Sequence, residues 1–371
     1  MARLHWAIRS ESSKLKTKGK NMQRSISLTG WSSVLIGLCL LAPTGAQAEP
    51  EADDRTLVPQ PAEIMPKAIE STLLDIHHTG ERFIVVGDRG HILISEDGQD
   101  WQQLEVPVRA MLNRLRMLNS KTGWVVGHDG TVLRTDDGGL SWTLQHFDAE
   151  WGKPFYDVLF LDEQNGMVIG ANGRAIRTRD GGSTWEEMEN PVFDLGLHLN
   201  VILRLGDGSL FLAGERSLLA RSSDNGENWE LLTSPYSGSW FNALPYGETG
   251  MVAFGLRGNT YLADNVAGLA TENVEQWSEY DVTTQTDADV LAPMGWRLID
   301  NPVIQSLFGG SSFAPASVVL VGVNGTIVRG DLDNNKLEKV PNEFDAPLSD
   351  AILVNNKLYV VGRNGVGTFD W

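Results

Sequence analysis

Short apolar segments that end in glycine recur along the sequence and are separated by stretches of polar residues. The segments read VVG, VVG, VIG, LAG, AFG, LVG and VVG, and each is followed by a two-residue turn and usually by another glycine. Their composition is typical of strands, and glycine supplies the positive φ that a tight hairpin turn needs. The pattern therefore predicts consecutive β-hairpins, because helices would show a 3.6-residue period instead.

The spacing of these segments predicts how many units the fold contains. Successive closing glycines are separated by 40, 43, 44, 41, 67 and 40 residues, and they lie at Gly87, Gly127, Gly170, Gly214, Gly255, Gly322 and Gly362. A period of about 40 residues with short β segments is typical of propeller blades. We therefore predict an all-β fold, a seven-bladed β-propeller over residues 49–371, with four strands in each blade.

The two ends of this region predict how the ring closes. The last repeat stops at Trp371, one strand short of a full blade. The segment 55–64, RTLVPQPAEI, precedes the first repeat and resembles an outer strand. Its two prolines are acceptable there because an outer strand is an edge. We therefore predict that the last blade is closed by an N-terminal strand.

Four of the repeats contain a loop that resembles the Asp-box, Ser/Thr-x-Asp-x-Gly-x-x-Trp. The loops read TDDGGLSW, TRDGGSTW, SSDNGENW and, one residue shorter, SEDGQDW. The aspartate can accept backbone N–H bonds within its own turn, and the tryptophan can pack between neighbouring blades. We therefore assign a structural role to Asp97, Trp101, Asp137, Trp142, Asp180, Trp185, Asp224 and Trp229.

The 67-residue interval predicts an insertion between the fifth and sixth repeats. The fifth repeat has no good Asp-box, and the connection that follows it is elongated over about residues 283–300. Long loops on a regular scaffold often carry function. Met294 and Trp296 are the residues of interest in this loop.

The first 48 residues have the features of a secretory signal peptide. A basic segment ending at Arg24 is followed by the apolar run Trp31–Leu41 and by Ala46-Gln47-Ala48, an Ala-x-Ala cleavage site. The apolar run is too short to span a bilayer comfortably. Residues 1–21 are either a long basic region of this signal or the product of an upstream start codon. We therefore predict a signal peptide over residues 1–48.

Cleavage after Ala48 changes the charge and the cysteine content of the chain. It removes Cys39, the only cysteine, and leaves 23 basic against 47 acidic residues, a net charge of −24. Disulfides and thiolate metal sites are therefore not expected. An acidic surface repels nucleic acid and anionic lipid. We expect a soluble exported monomer that does not bind nucleic acid and does not insert into the membrane after cleavage.

Catalytic and metal-binding patterns are poorly supported. Asp-boxes also occur in sialidases, so a carbohydrate-binding or glycoside-cleaving propeller is the alternative, but no Arg-Ile-Pro segment is present and the ring has seven repeats rather than six. His77 and His78 are adjacent on a strand and point to opposite faces. The segment 331–335, DLDNN, begins like a calcium loop, but Lys336 occupies the glycine position. We predict no catalytic residue, no metal and no cofactor.

The run from Val126 to Trp142, and nearly the same run from Ile169 to Trp185, resembles the photosystem II stability/assembly factor family of propellers. The resemblance implies a seven-bladed, non-enzymatic assembly factor with an arginine-rich patch for protein binding. It also implies that relatives in non-photosynthetic bacteria are exported and associate with exporters of the resistance-nodulation-division type. With the signal peptide, this favours a periplasmic accessory factor for a membrane protein complex, with such an exporter as a candidate partner.

The turns between second and third strands and the connections between blades lie on one face of a propeller. Arginine and aromatic residues are enriched at protein interfaces. Any single arginine here reads most simply as a solvated turn residue, whereas the set favours recognition. The predicted partner-binding residues are Arg89, Arg109, His128, Trp151, Arg216, Trp240, Arg257, Trp296 and Arg363.

Overall fold

Seven antiparallel sheets follow one another along the chain and form a closed ring in the computed structural model, which describes residues 58–371. The prediction of an all-β, seven-bladed propeller is confirmed. The predicted signal peptide and residues 49–57 lie outside the described residues. The first three blades contain β1 (Leu73–His78), β2 (Phe83–Gly87), β3 (Ile92–Ser95) and β4 (Gln102–Gln103); β5 (Leu112–Met117), β6 (Gly123–Gly127), β7 (Val132–Thr135) and β8 (Thr143–His146); β9 (Phe155–Phe160), β10 (Gly166–Gly170), β11 (Ala175–Thr178) and β12 (Glu186–Glu187).

The remaining four blades continue in the same order. They contain β13 (Leu199–Arg204), β14 (Leu210–Gly214), β15 (Leu219–Ser222) and β16 (Glu230–Leu231); β17 (Trp240–Tyr246), β18 (Gly250–Gly255), β19 (Thr260–Ala263) and β20 (Arg297–Leu298); β21 (Leu307–Ala314), β22 (Ser317–Gly322), β23 (Ile327–Asp331) and β24 (Lys336–Lys339); β25 (Leu348–Val354), β26 (Lys357–Gly362) and β27 (Gly365–Asp370). The first strand of each blade contacts the first strands of both neighbours, and β25 contacts β1. These seven strands therefore line the axis of the ring.

Helical segments in the described residues are each about one turn long. They are α1 (Ala288–Leu291) and the 3₁₀ turns Ala68–Glu70, Asp88–Gly90, Ala171–Gly173, Phe193–Leu195, Leu256–Gly258, Val266–Gly268, Ala292–Met294 and Val323–Gly325. Within residues 58–371, no helix has both the length and the apolar character that crossing a membrane requires.

The apolar core is divided among the blade junctions. Each of the seven junctions has its own cluster of buried side chains drawn from the two blades that meet there. At the first junction, for example, Ile84 of blade 1 packs with Leu133 and Trp142 of blade 2. Burying an aliphatic side chain contributes about 1.5–3 kcal/mol. The alternation of buried segments with polar turns in the sequence is therefore the pattern of strands that are covered by a blade on each side.

The seventh blade has three strands among the described residues, β25, β26 and β27. Residues 58–64, the described part of the predicted closing strand, form no strand and lie along blade 1. Ala62 donates its backbone N–H to the carbonyl of Val106 at 2.9 Å, and Gln103 bonds to Glu63 and Met65 at 2.9 and 2.8 Å. Pro59 and Pro61 have no N–H, so only isolated hydrogen bonds form and no ladder develops.

The insertion is present, but it lies within blade 5 and not in the connection to blade 6, where the sequence placed it. The chain leaves β19 at Ala263 and adds the fourth strand of this blade, β20, only at Arg297. No Asp-box follows β19, and Asp264 instead accepts two hydrogen bonds from Arg297, at 2.8 and 3.1 Å. The intervening residues carry α1 and two 3₁₀ turns, and their side chains pack into the clusters on either side of blade 4.

Candidate partner-binding face

Equivalent three-residue turns join the second and third strands of blades 1 to 6. The middle residue of each turn has a left-handed backbone, with φ between 49° and 59°, and these residues are Arg89, Asp129, Asn172, Arg216, Arg257 and Asn324. The turn of blade 3 shows why a glycine usually follows. Gly173 has a φ of +75°, and a Cβ there would lie 2.0 Å from the carbonyl oxygen of Phe193 in the next connection. The turns therefore sit directly on the inter-blade connections, and together they form one face, named the turn face below.

Three of these six left-handed positions are occupied by arginine. Asparagine and aspartate adopt this conformation more readily, because their short side chains can bond to the local backbone. For most other residues the left-handed region costs roughly 1–2 kcal/mol. Arg89, Arg216 and Arg257 are all exposed, so packing does not offset this cost. The local backbone therefore gives no reason for arginine at these positions.

The exposed arginines of the turn face make few strong internal contacts. Arg216 pairs with Glu279 and Arg109 with Glu63, both at 2.9 Å, and Arg89 lies 3.6 Å from Asp88. Exposed pairs of this kind contribute about 0–1 kcal/mol. Arg257 and Arg363 form no ion pair with any residue of the described range. Their guanidinium groups are therefore available to a ligand.

The prediction that Trp240 and Trp296 belong to a binding surface is wrong. Both side chains are fully buried, and their rings stack 6.3 Å apart at an angle of 10° in the cluster between blades 4 and 5. Trp240 begins β17 at a bulge, which turns its ring into the core. Trp296 immediately precedes β20 and fills the space that an Asp-box tryptophan fills in other blades. Both tryptophans stabilise blade 5 and are unavailable to a partner.

Trp151 and His128 lie on the turn face but are half-buried. The guanidinium of Arg174 lies over the Trp151 ring at 4.4 Å from its centroid, so one side of the indole is already covered. Burial lowers the pKa of His128, and the neighbouring Asp129 acts in the opposite direction. Both residues therefore border the face rather than project from it.

Three exposed apolar residues of this face were missed in the sequence. Tyr280 is 83% exposed and follows Glu279, the partner of Arg216. Ile304 is 82% exposed and lies two residues before Ser306, whose hydroxyl accepts the backbone N–H of Arg257. Leu256, also exposed, precedes Arg257. A single exposed apolar residue cannot be recognised as a binding residue from the sequence, because such residues are common on protein surfaces. Only the fold shows that these three lie beside the arginines.

The Asp-box loops lie at the other ends of the strands. In blade 3, the carboxylate of Asp180 accepts the hydroxyl and the backbone N–H of Thr184 at 2.7 and 2.8 Å and the hydroxyl of Thr178 at 2.8 Å. These hydrogen bonds, that from the Thr184 side chain first, lower the pKa of Asp180 to about 2. Asp137 and Asp224 repeat this arrangement, and Asp97, in the shorter loop, accepts the backbone N–H groups of Gln99 and Asp100 and the hydroxyl of Ser95.

The Asp-box tryptophans and two strand arginines join neighbouring blades. Trp142 and Trp229 are buried in the junction clusters, whereas Trp101 and Trp185 are partly buried at their edges. Arg134 donates to the carbonyl of Gly181 in the next Asp-box at 2.7 Å, and Arg177 pairs with Glu227 in the following one at 2.7 Å. The repeated loop positions at this end of the ring therefore serve to hold neighbouring blades together.

Charged side chains also lie along the axis. Arg116 of β5 donates two hydrogen bonds of 3.0 Å to Asp157 of β9, whose carboxylate also accepts the backbone N–H groups of Val158 and Ile202. The carboxylate of Asp157 is fully buried, whereas the side chain of Arg116 is 38% exposed, so solvent reaches one side of this ion pair. No group of three or more His, Cys, Asp or Glu that could hold a metal occurs between residues 58 and 371.

These features define a class of protein, a seven-bladed propeller with Asp-box staples at one end and an arginine-bearing turn face at the other. The family described as Photosynthesis system II assembly factor YCF48 matches this chain over residues 93–153 and 145–275. The chain is a photosystem II assembly factor-like β-propeller. This confirms the family resemblance seen in the sequence.

Two curated relatives carry the name Photosystem II assembly protein Ycf48. The protein from Thermosynechococcus vestitus is 37% identical over 172 residues, which are 44% of this chain and 47% of the relative. The protein from Synechococcus sp. (strain JA-3-3Ab) is 39% identical over 51 residues, which are 13% of this chain and 15% of the relative. The match therefore spans about half the length of the first relative and less of the second.

Solved structures show the same fold. A structure titled YCF48 bound to D1 peptide has a TM-score of 0.58 at 17% identity and covers 83% of this chain and 94% of that one. YCF48 from Cyanidioschyzon merolae has a TM-score of 0.60 at 16% identity, over 82% and 95% of the two chains. The WD40 propeller domain of Doa1 scores 0.59 at 10% identity, over 84% and 95%. At these identities the likeness concerns the fold alone.

Proposed function

We propose that this chain is a binding factor that assists a membrane protein complex by holding a segment of one of its proteins on the turn face. The observation that carries the proposal is the placement of Arg89, Arg216 and Arg257 at exposed left-handed turn positions, where the backbone disfavours arginine. Strain that the fold tolerates at a surface is a reason to look for function there.

The apolar residues beside these arginines support the same role. Leu256 and Ile304 are exposed near Arg257, and Tyr280 is exposed near Arg216. They supply anchors of the kind that interfaces use, next to cations that orient an acidic segment. The solved relative that is titled as bound to a D1 peptide shows that a propeller of this fold can hold a peptide. The proposed role is binding rather than catalysis.

We further propose that the chain works in the periplasm and that its partner is a membrane complex there, with an exporter of the resistance-nodulation-division type as the specific candidate. Two features of the sequence support this proposal. Residues 1–48 resemble a signal peptide, and the remainder is acidic. Anionic lipid repels an acidic propeller, so the propeller approaches the membrane only where a protein partner offers a surface of complementary charge.

The proposal is tested with a tagged chain produced in its own cells and crosslinked before solubilisation. The variant Arg89→Asp, Arg257→Asp, Arg363→Asp reverses three charges of the turn face, and aspartate tolerates the left-handed positions. Its matched control reverses Arg179, Arg204 and Arg329, which are exposed elsewhere on the ring. We expect the first variant to lose the membrane proteins that the parent and the control capture, with a melting temperature at least as high as that of the parent. Full capture by the first variant would reject the turn face as the binding surface.

A further inference from the structure

A cleft of about 330 Å³ opens on the turn face between the first and last blades. The segment that leads into β1 lies here in the place of an inter-blade connection. A Cβ on Gly365, in the turn of blade 7, would lie 1.8 Å from the carbonyl oxygen of Ile69, which repeats the contact of Gly173 with Phe193 in blade 3. The cleft therefore combines side chains from three separate parts of the chain.

The walls of the cleft are cationic although the protein as a whole is acidic. Lys67, Arg89 and Arg363 line it, and Asp88 is the one carboxylate in its lining. Asp88 lies 3.6 Å from Arg89, and Lys67 is held at 2.9 Å by Glu70 from outside the cleft. Arg363 has no ion pair among residues 58–371 and is exposed. The cleft therefore has an excess of positive charge.

His91 adds a hydrogen-bond acceptor to these cations. It lines the cleft and is only 1% exposed. The hydroxyl of Ser71 donates to the carbonyl of Ala68 at 2.6 Å, so its oxygen must accept the 2.9 Å bond from Nδ1–H of His91. Nε2 then carries a lone pair, has no partner in the described part of the chain and is closed to solvent, so a donor in the cleft reaches it only after a small movement of the side chains that cover it.

The groups around the imidazole favour its neutral form. Burial lowers the pKa of His91, Asp88 acts in the opposite direction, and Arg89 lowers the pKa further. The cations Lys67 and Arg363 line the same cleft. A ligand must therefore offer a negative charge to the guanidinium groups and an N–H or O–H donor to Nε2.

We propose that this cleft binds an acidic residue of an extended peptide, with the carboxylate against Arg89 and Arg363 and a backbone N–H donated to Nε2 of His91. This inference rests on the proposed function, because it names the chemistry of the segment that the turn face would hold. An acidic peptide residue combines the two complementary groups within a few ångströms. Arginine is well suited to the carboxylate because its planar fork can donate two parallel hydrogen bonds.

The inference is tested by NMR titration of the histidine-labelled protein at pH 7.5 and low salt. The probes are a blocked Gly-Ala-Asp-Ala-Gly peptide, its Asn counterpart and a version in which the nitrogen of the aspartate is methylated. We expect the Asp peptide to shift the Nε2 signal of His91 saturably, and each of the other two to bind about tenfold more weakly, because each loses one of the two interactions. Equal affinity for all three peptides would overturn the inference.

Variants separate the cleft from the rest of the face. Arg89→Asn, which suits a left-handed position, and Arg363→Gln should each weaken binding of the Asp peptide about tenfold. The matched control is Arg257→Asn, at the equivalent turn of blade 5, and it should bind as the parent does. Unchanged binding by both cleft variants would overturn the inference. So would inorganic phosphate shifting the His91 signal at a lower concentration than the Asp peptide.

Failure here is distinguishable from failure of the proposed function. A protein that does not bind the Asp peptide in the cleft, but whose capture of membrane proteins depends on Arg257, refutes the cleft alone. Capture that survives reversal of all three turn-face charges refutes the proposed function. The methylated peptide tests the role of His91 in the unsubstituted protein. The test therefore does not depend on whether a variant such as His91→Phe folds.

Discussion

Asp350 of the last blade is hydrogen-bonded through its side chain to Asp75 of the first blade, at the junction where the ring closes. Both are buried at bulges of the axial strands β25 and β1. Asp75 accepts the backbone N–H groups of Ile76 and Leu115 at 3.1 and 2.6 Å. A bond between two carboxyl groups needs one proton. Burial, reinforced by Asp75 and opposed by Arg114, raises the pKa of Asp350 well above its usual value, so Asp350 carries this proton.

The first prediction concerns pH. A carboxyl whose folded-state pKa is raised contributes stability below its unfolded pKa of about 3.9, and this contribution is lost as pH rises through the folded-state pKa. Asp350→Asn keeps a donor for Asp75 and an acceptor for the N–H of Gly310, and Asn242 already occupies the equivalent bulge of blade 5. We expect the variant to be more stable than the parent by about 1–2 kcal/mol at pH 8 and to show no gain at pH 4.

Urea unfolding of parent and variant between pH 4 and pH 8 measures this difference. Because all other titrating groups are shared, their contributions cancel in the comparison. A difference that does not change with pH would contradict proton sharing between Asp75 and Asp350.

The second prediction concerns the Asp-box tryptophans. Trp229 is buried between blades 3 and 4, with its ring 5.9 Å from that of Phe193. Trp229→Ala should reduce the free energy of unfolding by roughly 3–5 kcal/mol, because it removes a large buried side chain and leaves a cavity. Trp151→Ala is the matched control, since this indole is only half-buried. Comparable losses for the two variants in guanidinium unfolding would argue against Trp229 as a staple of the junction.

The third prediction concerns the axial ion pair. Asp157→Ala leaves the guanidinium of Arg116 without its two hydrogen bonds and also removes the acceptor for the N–H of Ile202. Breaking one side of a fully buried pair costs about 3–5 kcal/mol. Because the side chain of Arg116 is partly exposed, we expect a loss of about 1–3 kcal/mol here. Asp136→Ala breaks the exposed pair with Arg134 and should cost far less. Urea midpoints measure both, and equal midpoints would mean that the axial pair is as solvated as the exposed one.

The fourth prediction links stability with binding on the turn face. Arg257→Asn should stabilise the protein by up to about 1 kcal/mol, because asparagine adopts the left-handed conformation at lower cost. The same variant should capture less of the membrane partner. The reciprocal change, Asn172→Arg, places arginine at the equivalent turn of blade 3 and should destabilise by a similar amount. Thermal melts measure the stability. A lower melting temperature for Arg257→Asn would show that arginine at this turn costs no backbone strain.

The number of blades and their turns could be predicted because each repeat contains the same apolar segment and the same glycine. The environments of individual aromatic residues could not be predicted from the sequence. Trp240 is the first residue of β17 and Trp296 ends an insertion, and nothing in the local sequence shows that the two rings stack against each other. The Asp75–Asp350 contact was also hidden, because a carboxylate in a strand is usually on the solvent side and its partner lies at the other end of the propeller sequence.

The cleft was only partly visible in the sequence. Arg89 and Arg363 were recognised as turn residues, but His91 follows a turn at a position filled by Thr131 in blade 2 and Arg174 in blade 3. Its unpartnered nitrogen becomes apparent only with the bond from Nδ1 to Ser71. The hydrogen-bond partners of His91 can be assigned only from coordinates, because no regular spacing in the sequence relates Ser71 to His91.

In residues 58–371, the first and last blades meet through side chains such as Phe83 and Tyr359, 4.3 Å apart, and not through a sheet with strands from both ends. Contacts that span most of the chain form late in folding, because the entropy of closing so long a loop must be overcome before they contribute. Until the last blade docks, the chain therefore remains an open arc, with the apolar side of blade 1 uncovered before Tyr359 and Val361 arrive. During this interval the protein depends on speed or on a chaperone to avoid aggregation.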